Sequence, residues 1–178
     1  MDAQLLKGWE FLQSGAHEMA LEHFLLADTY RPNQRIGRIS NYQKEAQIYY
    51  LTGLAYQGMD EKSEAKSYFR KALDTPVGNS EYIFYRALSQ HELGQEDEAR
   101  ASSEQLIKSG EEALEMAGDA DFFAKFGEKA GVNERKATAY YHIALGYEAS
   151  GDPEKAQEAF AQALNLRNSK LWANVYSK

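Results

Sequence analysis

No cysteine occurs in the chain, so disulfides, thiolate metal sites and cysteine nucleophiles are excluded together. No apolar run approaches the length of a membrane span, and no charged N-terminal segment leads into a signal-peptide core. A soluble chain is therefore expected, in the cytoplasm rather than secreted, with no membrane partner. Positive charge is also short. A net charge of -7 argues against a general nucleic-acid binder, because phosphate neutralisation needs a concentrated basic face. The one basic cluster, Arg31, Arg35, Arg38 and Lys44, reads either as a grip on an acidic partner or phosphate, or as a solvated loop that balances the acidic surface.

Catalytic constellations are missing as well. His17 and Glu18 followed by His23 resemble a zinc-binding helix, but those histidines are too far apart along a helix to share one face as metal ligands. His91 stands beside Glu92, and His142 lies among tyrosines; a lone histidine on such a helix is ordinarily a packed or surface residue. Glu96, Asp97 and Glu98 suit a helix start, where the dipole favours negative charge. No phosphate-binding glycine loop is present. The expectation is a non-catalytic chain with no catalytic residue, metal or cofactor.

What the chain does have is a pattern written four times. A small residue is followed by alanine and then by a third position: Gly8/Ala20/Phe24, Gly53/Ala65/Phe69, Ala87/Ala99/Ser103 and Ala144/Ala156/Phe160. An aromatic stands three after the small residue at Phe11, Tyr56 and Tyr147. Two antiparallel helices that cross closely need small side chains where their axes meet and larger ones above and below. Each unit carries a turn signal between its halves: Gly15, Gly58 with Asp60, Gly94, and Gly151 followed by Asp152 as N-cap and Pro153 at the first helical position. The spacing from Ala65 to Ala99 is 34 residues, whereas Ala20 to Ala65 is 45 and Ala99 to Ala156 is 57. Two insertions follow: a basic one at about 31–40, and one at about 110–133 that opens with Glu111, Glu112 and Glu115 and then places Phe122, Phe123 and Phe126 at helical spacing.

This pattern resembles the tetratricopeptide repeat, G-x2-Y…A-x3-F. The resemblance implies an all-α chain, a right-handed α-α superhelix of four helical hairpins, in a single domain over residues 1–178. The repeats are expected near 2–30, 41–75, 80–109 and 134–166, with an extra inserted helix near 119–130 and a C-terminal capping helix within 168–178. The order of regular and irregular parts also resembles the C-terminal helical segment of large bacterial multidomain proteins that carry a β-rich domain.

Members of this family hold proteins or peptides on the first helices of their hairpins. The matching positions here give a candidate groove of Trp9, Tyr50, Leu54, Phe84, Leu88, His91, Tyr141, Leu145 and Glu148. Chaperone-binding members grip a terminal carboxylate with lysine, asparagine and arginine, yet the corresponding positions are Leu5, Trp9, Leu51, Glu81 and Tyr85, so that activity is not expected. Two readings remain open: a separate protein or peptide partner, or a structural appendage that docks on a neighbouring domain in cis or on a second copy of the chain. The stripe can equally be covered within the chain, by the phenylalanine insertion or by Leu171, Trp172, Val175 and Tyr176.

Overall fold

The computed structural model describes residues 1–29, 44–123, 129–166 and 172. Among them are eight helices and no strand: α1 (Asp2–Gln13), α2 (His17–Asp28), α3 (Lys44–Gly58), α4 (Lys62–Asp74), α5 (Ile83–Glu92), α6 (Glu96–Phe123), α7 (Lys129–Ala149) and α8 (Pro153–Leu166). α1 packs on α2, α3 on α4 and α7 on α8, and a tight turn through Gly94 joins α5 to α6. The expected basic insertion, Phe126 and most of the expected cap lie outside the described residues, although Trp172 is helical and buried. Two compact units make up the chain, Met1–Gly78 with Leu88–Glu96 and Asn79–Ala87 with Asp97–Lys178.

Each hairpin turns on one left-handed residue, seven positions after its small residue. Gly15, Gly94 and Gly151 take φ of 77°, 75° and 77°, and in the second hairpin Asp60 takes φ of 62°. Aspartate tolerates this region better than most residues, so it replaces glycine at modest cost. Gly58, read from the sequence as part of this turn, does a different job. The ring of His17 at the start of α2 occupies the space of a Gly58 side chain, with Cγ 2.6 Å from where a Cβ would stand. In the fourth turn Asp152 caps α8 as expected. Its carboxylate accepts the Lys155 backbone N–H at 3.3 Å, and Pro153 opens the helix.

The small residues work by admitting a ring. A Cβ on Gly8 would lie 2.7 Å from Phe24 Cδ1, and one on Gly53 would lie 2.7 Å from Phe69 Cδ1. Ala20, Ala65, Ala99 and Ala156 are buried as the pattern requires, but the side chain that closes on the glycine is the phenylalanine four residues later. Phe24, Phe69 and Phe160 are all fully buried, each worth about 1.5–3 kcal/mol by area alone. In the third hairpin Ser103 stands where the others have phenylalanine, and its hydroxyl donates to Ala99 O at 2.9 Å, which satisfies it inside the core.

The second insertion corrects the sequence expectation. It does not form a separate helix near 119–130; its described residues lengthen α6 to 28 residues and α7 to 21. Gly110, where the third repeat was expected to end, sits in mid-helix because α7 comes close there. A Cβ on it would lie 2.7 Å from Ala139 O and 2.6 Å from Ile143 Cγ1. Gly146 repeats the arrangement from the other side, against Ser103 O at 2.9 Å and Ile107 Cγ1 at 2.6 Å. Going along α6 by sevens from Ser103 through Gly110 reaches Ala117, and going back along α7 from Gly146 through Ala139 reaches Val132. Both end points are buried, as a seam continued by one heptad on each helix requires.

Candidate functional site

The residues of the expected groove divide by unit. In the first unit α1 packs on α3, and Gln57 Nε2 donates to Glu92 Oε2 at 2.8 Å, tying α3 to the end of α5. On these consecutive first helices the residue after the small one is Trp9, Leu54 or Leu88, and all three are half-buried. Tyr50 is only 8% exposed, its ring tilted against Phe69 at 5.9 Å between centroids. Around them stand Gln13 and Gln57, both exposed, half-buried Glu92, and His91. The His91 Nδ1–H donates to Glu96 Oε2 at 2.9 Å. That hydrogen bond first, and the charge of Glu96 next, raise the imidazole pKa above its ordinary 6.5; partial burial opposes them and Glu92 adds to the rise.

In the second unit the corresponding apolar residues are inside. Phe84 is 1% exposed and meets Tyr85 edge-on at 5.1 Å; Tyr141 is 4% exposed and tilts against Phe160 at 6.2 Å; Leu145 is 1% exposed. These side chains pack the protein rather than line an open surface. Glu148 is exposed as a residue while its carboxyl is partly withdrawn from water, and that desolvation raises its pKa. The phase of the stripe is visible in the sequence; its burial is not, because a repeat pattern says which residues share a face and not what covers it.

The histidines of the zinc-like string go to separate neighbours. His17 lies on Gly58, whereas His23 stacks on Phe11 at 5.3 Å and hydrogen-bonds the Gln4 side chain at 2.5 Å. Among the described residues no three histidines or carboxylates converge as a metal site.

Profiles of the tetratricopeptide repeat match residues 46–75, 81–109 and 137–170, more than half of the chain. The chain belongs to the tetratricopeptide repeat family. Residues 2–28 share the geometry of the matched tetratricopeptide hairpins, with Gly8 beneath Phe24. Comparison with the curated proteins gives no match to the chain. Tetratricopeptide repeats are in general non-catalytic protein-interaction modules, so the partners to seek are proteins. Among the described residues no helix is long and apolar enough to cross a membrane.

Proposed function

We propose that this tetratricopeptide chain is a non-catalytic scaffold that holds a segment of another protein on the first helices of its first unit. The observation that carries the reading is the partial exposure of Trp9, Leu54 and Leu88 at equivalent positions of three helices, where their counterpart in the fourth hairpin, Leu145, is buried. Tryptophan is among the residue types that most often anchor partners, and the two leucines at equivalent positions supply apolar area for a partner to cover. The rim of His91, Glu92 and Glu96 holds two carboxylates around one imidazole, which suits a segment with apolar anchors and a basic flank.

Affinity capture with wild type beside Trp9→Ala/Leu88→Ala, each checked by thermal melting, tests this. The expected result is loss of the captured partner from a variant that still melts cooperatively. Recovery of the same partner by the variant would remove the first-unit site. Tyr50→Ala and Tyr141→Ala should lose stability instead, because both rings are core.

A further inference from the structure

Fifteen residues after the small residue, the second helix of the first two hairpins sets a side chain beside two first-helix residues, those four before and three after the small one. In the first hairpin His23 fills this place, stacked on Phe11 at 5.3 Å and 15° and hydrogen-bonded to Gln4. In the second hairpin Tyr68 fills it, stacked on Tyr56 at 5.4 Å and 23° and tilted against Tyr49 at 6.2 Å, with the Lys71 ammonium 4.0 Å from its ring centroid. The fourth hairpin keeps the aromatic walls as Tyr140 and Tyr147, but the residue between them is Ala159. The place of the ring is an open cleft of about 410 Å³ lined by Tyr140, Tyr147, Lys155, Glu158, Ala159 and Gln162.

We propose that this cleft takes a tyrosine side chain of a partner protein, lying where Tyr68 lies in the second hairpin. Two phenol walls favour a planar ring over an aliphatic chain, since aromatic pairs gain from their quadrupoles beyond the area they bury. The Lys155 ammonium stands 5.1 Å over the Tyr147 ring and is held by Asp152 Oδ2 at 2.6 Å, so a cation is placed at one wall of the cleft. Glu158 and Gln162 offer an acceptor and an amide at the rim for a phenolic hydroxyl. The volume falls in the range of ligand-holding clefts, about 300–1,000 Å³, and exceeds what one ring needs. Because the cleft is open to solvent, the backbone that carries the ring can pass outside, which fits a side chain on a polypeptide better than a free small molecule. The site uses none of the stripe residues.

Ligand-observed saturation-transfer NMR on the full chain tests it, with N-acetyl-tyrosinamide, N-acetyl-leucinamide and a glycine pentapeptide carrying one central tyrosine as probes. Transfer to the tyrosine ring protons and not to the leucine methyls is expected, with tighter binding of the pentapeptide than of the amide. Ala159→Tyr, which gives α8 the ring that α4 has, should weaken pentapeptide binding by about tenfold or more. Should Ala159→Tyr fail to fold by circular dichroism, Tyr147→Leu removes one wall and should also weaken binding, while Trp9→Ala should leave it unchanged. Equal transfer to leucine, or pentapeptide binding untouched by the folded wall variants, would overturn the site. Equal affinity for amide and pentapeptide would overturn the partner segment in favour of a free aromatic molecule.

Discussion

The second and fourth hairpins obey one rule and depart from it at different places. Both bury a phenylalanine against the first helix, Phe69 and Phe160, and both bury the alanine four residues before it. The second hairpin puts glycine under the ring, aspartate in the left-handed turn and Tyr68 between two tyrosine walls. The fourth puts Ala144, Gly151 and Ala159 at those places. Positions that hold a hairpin together are thus separable from a position that only decorates its edge. The edge can lose its ring while the walls on either side stay.

Exchanging residues between these hairpins tests the separation. The largest effects should come from the shared ring: Phe69→Ala and Phe160→Ala should each cost about 3–5 kcal/mol in urea denaturation, because both rings are fully enclosed. A cheap result at one of them would mean that the two rings do not play the same part in their own hairpins. Next comes the residue under the ring. Gly53→Ala should cost about 1–3 kcal/mol by overpacking against Phe69 in spite of the better helix propensity of alanine. Ala144→Gly, the reverse exchange, should cost about 0.5–1 kcal/mol through backbone entropy.

At the edge, Tyr68→Ala should cost about 1–2 kcal/mol for a half-buried ring with one stacked neighbour, measured by the same denaturation. The turn gives the smallest and most symmetrical pair. Asp60→Gly should raise stability by up to about 1 kcal/mol and Gly151→Asp should lower it by a similar amount, since the left-handed backbone changes its tenant and the ion pair of Asp60 with Lys62 is solvent-exposed and weak. Thermal melts in which both substitutions lower stability would show that Asp60 does something besides turn the chain.

Much of this was legible in the sequence, and the misreadings have physical reasons. The ladder of small residue and alanine, completed by phenylalanine in three units and Ser103 in the other, is legible because each of those residue types answers a distance between helix axes. Gly58 was read with the turn because glycine near Asp60 suits a turn equally well; only the ring of His17 lying on it shows the other use. Gly110 falls where the sequence places the start of the second insertion, yet it is in mid-helix. A glycine in mid-helix is costly on its own, and that cost is offset only by the approach of α7, a contact far away in sequence. The stripe from Trp9 to Glu148 was legible as a set of equivalent positions. Which of them meet water depended on packing that no local pattern encodes, and so Tyr50, Phe84, Tyr141 and Leu145 proved to be interior.

The glycine contacts between α6 and α7 also set how this part of the chain can change length. A small residue recurs on α6 every heptad, opposite its counterpart on α7, so residues can be gained or lost there only in matched heptads. Any other change on one arm rotates bulky side chains into the contact and forces the helices apart. The length of this pair is therefore stepwise, fixed in units of seven residues on each arm.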